Sequence, residues 1–507
     1  MARIKHQDIQ RENNSLHILA ILGLFILIAV YAISTVARFS ISPEIGMAFV
    51  TFESVNHLSQ VLHKFVVFNE TWYRPFTFYL INYFAFHWID IHNIYLFKSV
   101  GLAIILLNAY VVTILAKVLF KSTFVERVII FSLIVTHPLY YSIAYEGSGI
   151  TDPVFAIFLN LFVIFFIGLI YKTKPRHNLI FVVLCCIFTL VTITSQERGL
   201  AIFLMIGGLT IYSYRHQCVS KTFVLLYSVL VFCLYMYFVY GSKQSWNGSD
   251  YRTDFELTYI IPNLIKGIEL PLRFMFLNMN KGYDIHKEWG FNLLALPFTL
   301  SLLAYFVSVY RSNDTEEKSR LIILTILFLS ALPLPILFGG NVWHFYTAAL
   351  YVSIVMGRAF WFWCQRLNKE MQTLLLSVFF IGLSVATVRG IHQELDETGL
   401  GHFMSLLPQA LTDKTLKQAP FIPEVVYYDT GGYGDFTWPF GGKGNVFKFI
   451  YKNPAIIEIA LVHGKVAESD KQLCNQVKGK KTLYYGYDLE HLSWYKIPEK
   501  NYCAQSG

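Results

Sequence analysis

Residues 40–93 read SISPEIGMAFVTFESVNHLSQVLHKFVVFNETWYRPFTFYLINYFAFHWIDIHN. The stretch lies between two long apolar runs and carries Glu44, Glu53 and Glu70, an arginine next to a proline (Arg74, Pro75) and a dense set of aromatics. Its second half, Phe76 to Ile89, is apolar but short for a membrane crossing, which takes about 20 residues. Its reading therefore decides the topology. A crossing there would put the flanking loops on opposite sides. A helix lying in the interface, aromatic-rich as such helices are, leaves residues 38–93 as one long loop on one side.

Composition sets the class. Of 507 residues, 55% are hydrophobic, 17% aromatic and only 15% charged, against about 25% charged in soluble domains. Apolar runs long enough to cross a bilayer recur at about 16–37, 94–120, 123–142, 152–172, 178–194, 198–214, 221–240, 290–311, 320–338, 345–364 and 370–388. The run after the first 14 residues is too long for a signal peptide, and no small-residue cleavage site follows it. The net charge of +8 comes from short basic loops, so no nucleic-acid partner is expected. These loops hold Lys121 and Arg127; Lys172, Lys174 and Arg176; Arg215 and Lys221; Arg311, Lys318 and Arg320; and Arg366 and Lys369. Placing all of them in the cytoplasm makes the first span run outward and the 94–120 span run inward. Residues 76–89 then become an interfacial helix. The expected fold is an all-α polytopic membrane protein of about eleven transmembrane helices with a small extracytoplasmic α/β domain. The boundary is drawn between 1–389 and 390–507.

Two outer loops are predicted, 38–93 and 241–289. The middle of the second, YIIPNLIKGIELPLRFMFL, is apolar but interrupted by charges and prolines, and reads as another interfacial segment. In the tail, the runs EVVYYD, NVFKFIY, AIIEIALV and KTLYYGYD read as strands separated by glycine-rich turns. Cys474 and Cys503 are the two tail cysteines, and an oxidising compartment outside the cytoplasm predicts a disulfide between them. The other five cysteines lie in or beside spans and read as small apolar residues.

On this topology Glu44, Glu53, Glu70, Glu146, Asp152 and Glu197 all fall at outer ends, although only basic residues and span lengths were used to derive it. Four short blocks stand out. TWYRPF, around Arg74, is either a helix entry with a snorkelling cation or a phosphate contact. HPLYYSIAYEGSGITDPVF, from His137, contains Glu146 and Asp152, the latter in a position suited to helix capping. TSQERG brings Glu197 and Arg198 between two spans, where charge is tolerated only at an interface or in a cavity. NVWHFY places His344 and Tyr346 at the outer end of a late span. Lys98 and Lys117 lie near span ends and can snorkel.

The order of these blocks resembles the GT-C superfamily of polytopic glycosyltransferases, in particular its protein O-mannosyltransferase-like, polyprenyl-phosphate-sugar-dependent members. The resemblance aligns Phe52-Glu53-Ser54-Val55-Asn56 with the family's acidic motif and Tyr73-Arg74-Pro75 with its YRP segment. His137-Pro138 to Asp152, Gln196-Glu197 and His344-Phe345-Tyr346 match the remaining motifs. It implies a hexosyltransferase that moves a sugar from a polyprenyl-phosphate donor to a hydroxyl of a protein or glycan acceptor, with inversion, at the extracytoplasmic face. The catalytic acid motif falls on Glu53. Arg74, Glu146, Asp152, Glu197, Arg198, His344 and Tyr346 are the substrate-binding candidates. Membrane lipids are further partners. No metal or other cofactor is expected, since no Asp-x-Asp or histidine cluster occurs. The implied site is the cytoplasmic (inner) membrane, facing outside, or the endoplasmic reticulum membrane in a eukaryote. The chain departs from many members in carrying one acid at 53, a histidine at 344, and no tetratricopeptide repeats. A lipid A, O-antigen or wall-polymer transferase of the same superfamily is the second reading. A lipid-linked-sugar transporter or flippase is the third; it would require repeated halves and mid-bilayer charges.

Overall fold

The computed structural model describes residues 2–36, 57–65, 75–88, 93–140, 151–170, 175–195, 201–215, 257–269, 296–338, 345–392, 413–429, 446–453, 455–462, 464–488 and 493–505, together with Gly199, His491 and a few positions between 229 and 236. The membrane part is helical. Its elements are α1 (Ala2–Thr35), α2 (Leu58–His63), a π-helical turn Pro75–Ile81 continuing as α3 (Asn82–Trp88), α4 (Ile94–Phe120), α5 (Phe124–Val135), α6 (Thr151–Ile170), α7 (Pro175–Ser195), α8 (Ala201–Arg215), α9 (Leu257–Glu269), α10 (Leu296–Arg311), α11 (Thr315–Ala331), α12 (Pro333–Phe338), α13 (Tyr346–Cys364) and α14 (Lys369–His392). Among the described residues five segments are long and apolar enough to cross a membrane: Ser15–Thr35, Tyr95–Phe120, Asp152–Leu169, Tyr346–Cys364 and Lys369–His392. Ile180–Ser195, Ala201–Tyr212 and Leu300–Arg311 are shorter apolar helices. The span expected at 320–338 breaks at Leu332, where Pro333 and Pro335 start a separate helix. The final membrane helix carries its last turn to His392, past the expected boundary at 389.

Local sequence explains the ends. Asn93 caps α4 through its side chain, which accepts from Leu96 N–H at 3.1 Å. Thr123 and Glu126 form a reciprocal capping box at the start of α5. Asp314 caps α11. One core cluster joins α4, α5, α6, α8, α11 and α13 through residues such as Ala109, Ile134, Phe162, Met205, Leu327 and Ala348. Gly357 of α13 faces Ile130 of α5 so closely that a Cβ would overlap that side chain, so the two helices meet backbone to side chain.

At the α5 start lies a buried charge cluster. Arg358 of α13 donates from Nη1 to both carboxylate oxygens of Glu126 at 3.1 Å and from Nε to Glu317 at 2.9 Å. Tyr305 of α10 donates to the same Glu317 oxygen at 2.6 Å. Arg320 lies 3.6 Å from the other Glu317 oxygen and pairs with Glu316, which also receives Lys121 at 3.0 Å. Two carboxylates and two guanidiniums thus compensate one another between α5, α10, α11 and α13.

The tail folds as expected into a small α/β unit. It contains α15 (Lys414–Lys417), β1 (Val425–Asp429), α16 (Val446–Ile450), β2 (Ile457–Val462), β3 (Lys465–Val466), β4 (Thr482–Asp488) and β5 (Ser493–Lys496). The sheet order is β3-β2-β1-β4-β5. β1 is parallel to both β2 and β4, and the outer pairs are antiparallel. NVFKFIY, expected as a strand, is instead helix α16. Parallel strands β1 and β2 need a crossover, and Phe447, fully buried, fixes that helix on the sheet. Cys474 and Cys503 form the expected disulfide, Cα–Cα 5.5 Å. A single apolar cluster contains Tyr428, Phe447, Tyr485 and Trp494 of the tail with Phe97 of α4 and Val154 of α6, and Phe76, Ile81 and Phe158 pack against it. The tail therefore rests on the ends of α4 and α6 opposite the charge cluster.

Candidate active site

Two of the sequence blocks are tied together at these same ends. Pro75 follows Arg74 and opens the π-helical turn, which packs against α6 and α7. The buried Thr77 hydroxyl donates to the carbonyl of Ser195, the last residue of α7. Phe76 sets its edge against Phe158 of α6 at 5.3 Å. Arg74 stands three residues before Thr77, and Glu197 two residues after Ser195. The TWYRPF and TSQERG blocks, some 120 residues apart in sequence, are thereby tied together by one bond between residues 118 apart.

Gly199 tightens this junction. A Cβ there would sit 2.8 Å from Ile193 Cα and 2.8 Å from the Thr192 carbonyl oxygen. Backbone cannot yield as a flexible side chain can, so only glycine lets the chain return against the last turn of α7. Gln196, Glu197 and Arg198 connect the two fixed points, Ser195 and Gly199.

Asp152 is in the first turn of α6 and is 6% exposed. Its neighbour Val154 shares the apolar cluster with Phe97, which immediately precedes Lys98. Lys98 is fully buried. The expected snorkelling is thus replaced by an ammonium enclosed within protein, which in a membrane protein marks a position of interest. His137 is also fully buried; its Nδ1 accepts from Leu139 N–H at 3.2 Å and holds the turn that follows α5. Tyr346 opens α13, as expected, and is buried, with its hydroxyl accepting from Asn108 Nδ2 at 2.6 Å. Asn108 lies ten residues past Lys98 on α4, about 15 Å along the axis at 1.5 Å per residue. The start of α13 is therefore staggered inward relative to the ends of α4 and α6. Glu53, Arg74, Glu146, Glu197, Arg198 and His344 lie outside the described residues.

Sequence reasoning gave Lys98 only a snorkelling role and passed over Asn108 and Arg358. The signal for each was a polar or charged residue inside an apolar run, which lipid alone does not tolerate.

No family model matches the sequence, and no curated protein matches it. Solved structures do. ArnT from Cupriavidus metallidurans in the apo state superposes with a TM-score of 0.50 at 11% identity, over 93% of this chain and 93% of that one. The same protein bound to undecaprenyl phosphate gives 0.50 at 10% identity, over 95% and 96%. The chain has a GT-C fold. The apo oligosaccharyltransferase of Archaeoglobus fulgidus gives 0.47 at 12% identity; 87% of this chain aligns, spanning 64% of that one. The ArnT matches make the fold of this chain recognisable over nearly its whole length, at an identity too low for a sequence match.

Proposed function

We propose that the chain is a membrane hexosyltransferase of inverting type. It transfers a sugar from a polyprenyl-phosphate donor to a hydroxyl of a protein or glycan acceptor at the extracytoplasmic face of the cytoplasmic membrane, or of the endoplasmic reticulum membrane in a eukaryote. The observation that supports this reading is the Thr77–Ser195 bond, with Gly199 behind it, because it fixes a residue three positions after Arg74 against one two positions before Glu197. The likeness to an ArnT structure bound to undecaprenyl phosphate supports the donor class.

In the proposed reaction the acceptor hydroxyl attacks the anomeric carbon, on the face opposite the leaving group. Its proton passes to Glu53 as the new C–O bond forms. The bond between the anomeric carbon and the phosphate oxygen breaks, and its electron pair leaves with the polyprenyl phosphate. Arg74 and Arg198 take the phosphate charge, with His344 at its rim. Glu146, Asp152, Glu197 and Tyr346 orient the sugar and acceptor.

The test uses purified full-length protein in lipid nanodiscs with a panel of undecaprenyl-phosphate hexoses, followed by mass spectrometry of hydroxyl-bearing acceptors. Transfer that falls roughly 10²–10⁴-fold in Glu53→Gln, with donor binding retained, supports the reading. Donor binding should weaken in Arg74→Ala and Arg198→Ala and recover only in part with lysine. Donor flipping without any transferred sugar would overturn it, as would full turnover in all three variants.

A further inference from the structure

The α4–α5 hairpin turns at Lys121, whose φ of 51° lies in the left-handed region that glycine usually fills. Its N–H donates to the Lys117 carbonyl at 3.0 Å and closes α4. Ser122 and Thr123 follow, and α5 starts at Phe124. Thr123 and Glu126 cap that start reciprocally. Ser122 is then the residue before the cap, and Arg127 the fourth residue of the helix. Side chains at these two positions meet across the first turn, as they do in a hydrophobic staple. Here neither is hydrophobic. Ser122 is 6% exposed, and its hydroxyl has no hydrogen-bond partner among the described residues. Arg127 is half-buried, and its Nε is also enclosed and without a partner among those residues. A buried hydroxyl and a buried guanidinium N–H left unpaired cost free energy. A ligand that accepts from both removes that cost.

We propose that this turn binds a phosphate group, carried by a lipid headgroup or by free phosphate, through the Ser122 hydroxyl, the Arg127 guanidinium and Lys117. Arginine offers the planar fork that phosphate oxygens match, and the serine adds an O–H donor. Lys117 is exposed in the last turn of α4 and supplies a second cation. The carboxylates nearby are already engaged. Arg358 donates to both oxygens of Glu126 at 3.1 Å, and Glu316 pairs with Lys121 at 3.0 Å and with Arg320. Arg127 is thus the guanidinium left for an external anion. Val118 and Phe124, 40% and 38% exposed, flank the turn with apolar surface. Basic side chains beside exposed apolar ones at a helix end suit the depth at which headgroup phosphates lie. The turn is at the far end of the 27-residue α4, about 40 Å from its start. It is therefore separate from the candidate active site. On the topology read from the basic loops, this end faces the cytoplasm.

The test is independent of any transfer reaction. Delipidated full-length protein in a phosphate-free detergent is titrated with dihexanoylphosphatidic acid in one arm and inorganic phosphate in the other. Native mass spectrometry counts the bound adducts. Saturable binding should weaken on the order of tenfold to a hundredfold in Arg127→Gln, the worth in affinity of a hydrogen bond to a charged group. Arg127→Lys keeps the charge without the fork and should recover only part of the loss. Ser122→Ala should weaken binding by a smaller factor. Arg311→Gln, at an exposed arginine outside the turn, should leave it unchanged. Tighter binding in the lipid arm names a headgroup as the ligand; binding of inorganic phosphate as tight or tighter names the free ion. Absence of saturable binding in both arms would overturn the proposal. An equal loss in Arg311→Gln would show general surface charge and overturn it as well. Should Arg127→Gln fail to fold, Ser122→Ala and Arg127→Lys carry the decision, and undiminished affinity in both would overturn it.

Discussion

Gly199 is the residue on which the candidate site turns most sharply. Adding one methyl group puts carbon 2.8 Å from backbone on two sides, so Gly199→Ala must move the turn that carries Glu197 and Arg198. Overpacking of this kind costs about 1–3 kcal/mol. Donor binding by the detergent-solubilised protein should weaken more than the thermal midpoint suggests; unchanged affinity would show the turn to be slack. Lys98 is the second such residue. An ammonium with no exposed surface needs a compensating group, and Lys98→Met leaves that group buried and uncompensated, at about 3–5 kcal/mol. Chemical denaturation in mixed micelles measures this directly, and a neutral outcome would return Lys98 to the snorkelling role its position near a span end suggests. The sequence places Lys98 one turn inside an apolar run, and that alone cannot separate the two outcomes. Whether the stem reaches water or is enclosed depends on what the fold packs around it, which the local sequence does not show.

Among elements, the four helices joined by Arg358 make a definite prediction. Arg358→Met strands Glu126 without a cation and leaves Glu317 with Arg320 alone, and should cost about 3–5 kcal/mol. The triple variant Glu126→Gln/Glu317→Gln/Arg358→Met removes the charge from both sides, and Glu316 still pairs with Arg320. It should recover most of the loss in the same denaturation assay. A triple variant as weak as the single would mean that packing, not charge, holds these helices. In the tail, burial pushes the hydroxyls of Tyr428, Tyr451 and Tyr485 above the usual phenol value of 10.0, with a Tyr485 hydrogen bond and Glu458 and Asp470 adding to the effect on Tyr451 and Tyr428 respectively. A raised folded value means that the unfolded chain gives up its protons first. The contribution of these groups is therefore complete below about pH 10 and declines above it. Ultraviolet titration should show these tyrosines ionising together with loss of tail structure; ionisation with the sheet intact would contradict the buried assignment. The strand-like run NVFKFIY shows where sequence reading stops. Its Val446, Phe447 and Phe449 suit a strand by propensity, but a parallel β1–β2 pair requires a crossover, and topology overrides propensity.

At the scale of the molecule, the helical membrane part, the small C-terminal sheet and the Cys474–Cys503 bond were legible, because hydropathy, strand-like runs and cysteine placement are local signals. The tie between the segments after Arg74 and before Glu197 was not. Thr77 and Ser195 carry no mark that they bond, and the inward stagger of Tyr346 depends on Asn108 lying halfway along another helix. The disulfide closes a separation of 29 residues, so Cys503→Ser should lower stability by about 3–4 kcal/mol on chain-entropy grounds. An unshifted melting curve would show the bond to be dispensable. Labelling of single cysteines from outside should reach the tail and spare residues 173–178, since basic loops stay in the cytoplasm.

The apolar cluster that runs from Trp494 and Phe447 to Phe97 and Val154 gives the two parts of the chain a common fate. Folding units are divided by cooperativity, and a shared core couples neighbours that a change in amino-acid composition would separate. Heating should therefore give one calorimetric transition in which sheet and helices are lost together. A chain cut after His392 would expose Phe97 and Val154 at its outer rim and self-associate. The tail is then a lid on the bundle's own core, and its removal is a loss of fold before it is a loss of function.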